Sequence, residues 1–100
     1  MATLGGLYLF TPEDGARKLG ERAQERRLAF NLTRRTLALR SGVPSSSIRK
    51  FETTGQIGLV SMLKLAQALQ CMDEIVSAFP EKEAQTLEEF VGKKRKRGSQ

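Results

Sequence analysis

Apolar side chains recur every three or four residues along most of the chain, which is the spacing of one face of an α-helix. The pattern is interrupted at residues that commonly end helices, namely Asn31, Gly42, Gly55 and Pro80. The predicted helices cover residues 12 to about 30, 34 to about 41, 44 to about 52, 59 to about 70 and 73 to about 79. The sequence therefore predicts an all-α fold of five helices.

The first predicted helix has a well-defined start and a basic surface. Thr11 is expected to cap it, with Pro12 at the first helical position. Leu19, Ala23 and Phe30 share one face with Arg26 or Arg27, and the apolar residues of this face are expected to pack inward. Two roles are open for the basic residues, a solvated surface or contact with phosphate groups. These residues are Arg17, Lys18, Arg22, Arg26 and Arg27.

Both ends of the chain differ in composition from its middle, which predicts one domain at residues 12–79 with an arm on each side. Residues 1–11 form an apolar arm, in which Gly6–Phe10 is predicted to be a short β-strand. This strand either packs on its own domain, pairs across a dimer or contacts a partner. Residues 80–100 form a polar extension that ends in a basic run. The run consists of Lys93, Lys94, Arg95, Lys96 and Arg97.

The segment from Leu32 to Glu52 predicts two short helices joined by a turn at Gly42. The second of these helices has only Ile48 and Phe51 as large apolar residues, so most of its surface is not suited to a core. Its polar residues are Ser45, Ser46, Ser47, Arg49 and Lys50. Ser47 either joins the polar surface, packs inward or hydrogen-bonds back to its own helix. Side chains of these types bind base edges and phosphates in a DNA major groove.

The charge balance favours the same kind of ligand. The chain of 100 residues carries 17 Lys and Arg against 11 Asp and Glu, a net charge of +6, and its pI is about 10.0. An excess of this sign favours a polyanion, with nucleic acid first and a membrane surface second. No apolar run approaches the ~18–20 residues of a spanning helix, and Met1–Phe10 lacks the basic start of a signal peptide. A cytoplasmic protein with no membrane partner is therefore expected.

The residues that are missing argue against catalysis. The chain has no histidine, so it offers no imidazole base and no histidine metal ligand. Cys71 is the only cysteine and lies in an apolar stretch, where a buried inert thiol is expected rather than a reactive one. The acidic residues fall on predicted helix surfaces and caps. We therefore expect no enzymatic activity, no metal and no cofactor.

The chain from Leu19 to Leu69 resembles a helix-turn-helix domain of the XRE (Cro/phage-repressor) family. The resemblance is carried by a basic first helix, Leu32-Thr33, a Leu-Ala pair, Ser-Gly-Val, a serine-rich helix and Phe-Glu. It implies that the helix at about 45–52 is a recognition helix, in which Ser45, Ser46 and Lys50 contact bases. Ser47 and Arg49 complete the expected DNA-contacting set on this helix.

The same resemblance implies that Arg34, the first residue of the second helix, holds a DNA phosphate. Many relatives have glutamine at this position, and Thr33 before it joins the expected DNA-binding set. Pro44 stands where relatives have a serine or threonine cap, so one capping hydrogen bond is expected to be missing.

The flanking segments narrow the resemblance to antitoxins of the HipB type. These segments are the strand-like N-terminus followed by Thr-Pro, the Gly-Gln-Ile-Gly-Leu join, and Phe-Pro-Glu with a basic tail. Such proteins repress their own operon as homodimers on operator double-stranded DNA. They pair with a HipA-like serine/threonine kinase toxin, which is sometimes split into two proteins. The basic run at 93–97 is then expected to contact the DNA backbone or steer the protein to it, with a solvated tail as the alternative.

Three other functions compete with this interpretation. The first is an XRE-family regulator without a toxin partner. The second is a protein-interaction adaptor on the same fold, since a fold permits several functions. The third is an RNA-binding protein, but the chain has one tyrosine and no tryptophan, and most of its phenylalanines lie at core spacing. RNA-binding proteins usually have exposed aromatic residues that stack on bases.

Overall fold

The computed structural model describes residues 11–82 in full, and the backbone of residues 3–4 and 7–8. Over these ranges the chain is all-α apart from two short strands, as the sequence predicted. The helices are α1 (Pro12–Ala29), α2 (Arg34–Ser41), α3 (Ser45–Thr54), α4 (Leu59–Ala68) and α5 (Met72–Val76). None of these helices is long and apolar enough to span a lipid bilayer.

The apolar arm contains a two-stranded antiparallel pair. Strand β1 (Thr3–Leu4) is paired with strand β2 (Leu7–Tyr8), so that Thr3 lies opposite Tyr8 and Leu4 lies opposite Leu7. The predicted strand at Gly6–Phe10 therefore contains β2, whose partner is the segment just before it in the same chain.

Local residue chemistry sets most of the helix ends. Thr11 caps α1, because its hydroxyl accepts from the Asp14 backbone N–H at 3.0 Å and the Asp14 carboxylate accepts from the Thr11 backbone in return. Gly42 ends α2 at φ 78° and Gly55 ends α3 at φ 82°, a left-handed conformation that glycine adopts without strain. Asn31 turns the chain after α1 at φ 57°. The cap at Thr11 and the ends at Asn31 and Gly42 agree with the sequence prediction.

The core lies where α2, α3 and α4 meet under α1. It is formed by seven clustered apolar side chains. These are Leu32, Leu37, Val43, Ile48, Phe51, Leu65 and Leu69. Val43 fills the turn between α2 and α3 and is 2% exposed. Burying each of these side chains contributes about 1.5–3 kcal/mol relative to leaving it in water.

The predicted inner face of α1 is correct only in part, since Ala23 packs against the core and Arg27 is buried, whereas Leu19 and Phe30 are exposed. Leu19 and Phe30 are 45% and 40% exposed, whereas Gly20 and Arg27 are the buried residues of this helix. The cause is a close approach of α1 to α3, since a Cβ on Gly20 would lie 2.1 Å from the Phe51 carbonyl oxygen. Only glycine allows this contact, so the face that includes Gly20 is turned toward α3 and Leu19 is turned away.

Four smaller predictions also need correction. Helix α3 extends to Thr54, two residues beyond the predicted end, because helical hydrogen bonding continues to the Gly55 backbone N–H, which donates to the Phe51 carbonyl at 2.8 Å. Helix α4 ends at Ala68 and α5 ends at Val76, both earlier than predicted. Cys71 is free and only half-buried, because it lies at the edge of the core where α5 begins.

Candidate nucleic-acid interface

The outer face of α3 brings together most of the residues that the sequence predicted to contact DNA. Ser45, Ser46, Arg49 and Lys50 are all exposed. Ser46, Arg49 and Lys50 follow Ser45 by one, four and five residues, and these spacings place all four on the same side of the helix. The opposite side holds the buried residues Ile48, Phe51 and Glu52. Helix α3 is therefore anchored in the core on one face and presents hydroxyl and cationic groups on the other.

The joint between α2 and α3 is short and well defined. Three residues, Gly42 to Pro44, connect the two helices, and the Val43 backbone N–H donates to the Ser41 hydroxyl at 3.1 Å. The cap of α3 is Pro44, and no side chain makes a capping hydrogen bond there, as predicted. The N–H groups at the start of α3, next to Ser45 and Ser46, therefore lack a side-chain acceptor.

Thr33 and Arg34 begin α2 beside α3. The Thr33 hydroxyl accepts from the Thr36 backbone N–H at 3.0 Å, and this bond caps the helix. Arg34 Nε donates to Glu52 Oε1 at 2.9 Å, so the predicted phosphate-binding residue is tied to α3. The Arg34 side chain is 31% exposed, while that of Glu52 is 1% exposed.

Glu52 is the centre of a buried charge cluster that sequence reasoning missed. Its two carboxylate oxygens accept from Arg27 Nε at 2.7 Å and from Arg27 Nη2 at 3.0 Å. Arg27 Nη1 donates to the Leu32 carbonyl at 2.8 Å. One arginine thus joins α1, the segment before α2, and α3. In the sequence, this cluster could have been indicated only by a glutamate at an inward-facing helix position together with arginines in two other helices. The number of residues between these three side chains follows no fixed pattern.

The surface of the α2–α3 unit is cationic. Glu52 is the only acidic residue of the two helices, and it is buried. The cations are Arg34, Arg35, Arg40, Arg49 and Lys50, of which all but the half-buried Arg34 are exposed. This unit therefore has no exposed carboxylate that would repel a polyanion.

An open cavity of about 310 Å³ lies beside α3. It is lined by Ser47, Lys50, Gln56, Ile57, Gly58 and Ser61. Ser47 is half-buried and lines this cavity. Polar groups from α3 and from the start of α4 share this recess, and Gly58 caps α4 without a side-chain hydrogen bond. Sequence reasoning did not include Gln56 and Ser61, because their proximity to Lys50 depends on how the chain turns after α3.

Two arginines of α1 make hydrogen bonds within the protein. Arg27 belongs to the buried cluster, and Arg26 donates to the carbonyls of Leu69 at 2.6 Å and Gln70 at 3.1 Å. Arg26 also lies over the Phe30 ring, 5.3 Å from its centroid. The hydrogen bonds of Arg26 join α1 to the segment at the end of α4.

The predicted basic run, from Lys93 to Arg97, lies outside the described residues. Among the residues that are described, no three Cys, Asp or Glu side chains come together in a way that could hold a metal ion. Compared with known proteins, the sequence matches no family model and no curated protein.

Proposed function

We propose that this protein is a sequence-specific double-stranded DNA-binding regulator of the helix-turn-helix type. The observation that carries this proposal is the division of α3 into a buried face and an exposed face of Ser45, Ser46, Arg49 and Lys50. A helix fixed in this way presents these donors together on one side. The major groove is wide enough to admit a helix, and serine and lysine are side chains that contact base edges and phosphates there.

The charge distribution supports DNA over a protein partner. The cations of α2 and α3 are not balanced by an exposed carboxylate, and the chain as a whole carries +6. Arg34 and Thr33 lie at the start of α2, where the helix dipole also favours an anion. In this proposal Arg34 binds a backbone phosphate, whereas Lys50 and the serines of α3 face the bases.

We propose that the protein binds its operator as a homodimer. One recognition helix buries only about 600–1,000 Å² on DNA, and two-fold pairing doubles this contact. Exposed apolar side chains near the end of the domain support pairing, since Val76 is 64% exposed and Phe79 is 93% exposed. The expected operator is a pseudo-palindrome whose half-sites lie roughly 34 Å apart. Sedimentation that gives only monomer at micromolar concentration, with and without DNA, would contradict the dimer.

The proposal is tested by selecting a binding site from a pool of random duplexes and then measuring variants on it. Lys50→Ala is expected to lower the affinity for the selected site by about 1–3 kcal/mol and to relax the preference at one position in each half-site. Arg34→Ala is expected to weaken binding to all sequences alike, because phosphate contacts carry no direct sequence information.

Lys64→Ala serves as the control, since Lys64 is an exposed lysine on α4 outside the proposed interface. If the wild-type protein selects no site and binds no duplex in low salt, the DNA-binding proposal fails. If Lys50→Ala binds both the selected site and random DNA as the wild type does, Lys50 is not part of the interface.

The antitoxin role is a finer proposal that rests on the HipB resemblance alone. It predicts a stable complex with a HipA-like kinase, in one or two subunits, encoded by a neighbouring gene. Co-expression followed by size-exclusion chromatography tests it directly. A regulator without such a neighbour would retain the DNA-binding role and lose the antitoxin role.

A further inference from the structure

The cluster formed by Arg27, Glu52 and Arg34 has more positive than negative charge. Two guanidinium groups share one carboxylate, and they are engaged to different extents. Arg27 uses Nε, Nη1 and Nη2 on Glu52 and the Leu32 carbonyl. Arg34 uses only Nε, and its two terminal amino groups make no hydrogen bond within the described part of the chain. The cluster therefore has one positive charge that no carboxylate within it balances, and a bound anion would balance it.

The position of Arg34 indicates where such an anion would bind. Arg34 is the first residue of α2, where the helix dipole adds partial positive charge. Its side chain is 31% exposed, so its unengaged donors are within reach of a ligand at the surface. Glu52 is 1% exposed and cannot rearrange freely, because Arg27 holds both of its oxygens. The Glu52 carboxylate is thus held in place, and its hydrogen bond with Arg34 Nε sets the orientation of the Arg34 side chain.

We infer that Glu52 is a positioning residue for DNA binding. Its carboxylate accepts the hydrogen bond from Arg34 Nε, and this bond orients the two terminal amino groups of Arg34 so that they bind one backbone phosphate. This inference rests on the proposed function. A guanidinium presents several donors in a rigid plane, so it binds two acceptors at once, whereas the lysine ammonium is a point charge. Since Glu52 belongs to α3 and Arg34 to α2, the phosphate contact also holds the helix that carries Lys50 in place.

The inference is tested with Arg34→Lys, Glu52→Gln and the double variant, on a mixed-sequence duplex of about one to three helical turns. Affinity is measured by fluorescence anisotropy over a range of salt concentrations, at a temperature where circular dichroism reports each variant as folded. Arg35→Lys is the matched control, because Arg35 is the exposed neighbour of Arg34 on the same helix and has the same charge.

Arg34→Lys is expected to weaken binding about 10-fold, the usual effect of losing a hydrogen bond to a charged group, with little change in salt slope because the charge is kept. Glu52→Gln is expected to weaken binding to a similar degree. The double variant is expected to bind no more weakly than either single variant, since both remove the same orientation of Arg34. Arg35→Lys is expected to bind as the wild type does.

Three results would overturn the inference. The first is an Arg34→Lys variant that binds as Arg35→Lys does. The second is a Glu52→Gln effect that persists undiminished in the Arg34→Lys background, which would mean that Glu52 acts through stability. The third is a wild-type protein that binds no duplex, which overturns the proposed function as well. The first two leave DNA binding intact.

Glu52→Gln removes a buried charge, so a measurement on the wild-type protein is also needed in case this variant does not fold. In nitrogen-15 spectra of the arginine side chains, the Arg34 Nε–H is expected to be protected from solvent exchange before and after duplex is added. The Arg34 Nη signals are expected to shift on DNA binding. An exchanging Nε–H, or Nη signals that do not move, would overturn the inference without any substitution at Glu52.

Discussion

On the inner face of α3, Ile48 and Phe51 are buried and Glu52 is held by two arginines, whereas the outer face holds serines and cations that are exposed. The inner contacts are formed with other helices and fix where the helix lies. The outer groups are exposed, and in the proposed function they contact DNA. The difference means that substitutions on the two faces should separate stability from binding.

The inner face itself combines two kinds of contact. One is steric, since α1 reaches the backbone of α3 at Gly20. The other is electrostatic, since Arg27 and Arg34 converge on Glu52. Both join segments far apart in sequence, and both are therefore sensitive to single changes.

The largest expected effect is that of Glu52→Ala. Removing one partner of a buried ion pair leaves the other charge uncompensated, which costs about 3–5 kcal/mol in the free energy of unfolding. Urea unfolding followed by circular dichroism measures this change. Glu21→Ala is the control, because Glu21 is an exposed glutamate of α1 in a surface ion pair, and such pairs contribute about 0–1 kcal/mol. Equal effects of the two substitutions would mean that the cluster contributes no more than a surface pair.

The next effect is a difference between two glycines of the same helix. Gly20→Ala is expected to destabilise the protein by about 1–3 kcal/mol or more, because the new Cβ would overlap the Phe51 carbonyl oxygen and force α1 away from α3. Gly15→Ala is expected to stabilise it by about 0.5–1 kcal/mol, since nothing lies within 4 Å of that position and alanine favours helix. Thermal unfolding compares them. The same sign for both would disprove the close approach.

On the outer face, Lys50→Ala is expected to change the free energy of unfolding by less than about 0.5 kcal/mol, the usual range for surface substitutions. Its effect should appear in DNA affinity instead. Measuring both quantities on one sample sharpens the division between the faces. If the loss of stability accounts for the whole loss of binding, the outer face stabilises the fold, and the division between the two faces is wrong.

The smallest expected effect on stability is that of deleting residues 93–100. The deletion removes no residue of the described core, so the melting temperature should remain nearly unchanged. If the basic run contacts phosphates, the salt slope of log K should flatten by about 2–4 units, since each contact adds about 0.9. The preference for operator over random DNA should persist. An unchanged slope would contradict the DNA role of this run.

Much of the fold was predictable because it depends on short-range chemistry. The cap at Thr11, the left-handed turns at Asn31 and Gly42, and the missing cap at Pro44 each follow from the conformational preferences of one residue and its near neighbours. The apolar periodicity then located all five helices and placed Ile48 and Phe51 in the core. Once the inward-facing positions of α3 were assigned, the other positions were predicted to be exposed.

The sequence by itself therefore determined the all-α class, the helix order and the residues on the outer face of α3. Only the tertiary structure decided which face of α1 is buried, because periodicity favours Leu19 and Phe30 while the lack of a side chain at Gly20 allows a closer approach. It also decided that Glu52 meets Arg27 and Arg34, which lie 25 and 18 residues away in sequence. Local preferences act over a few residues, whereas burial and ion pairing depend on which distant segments meet.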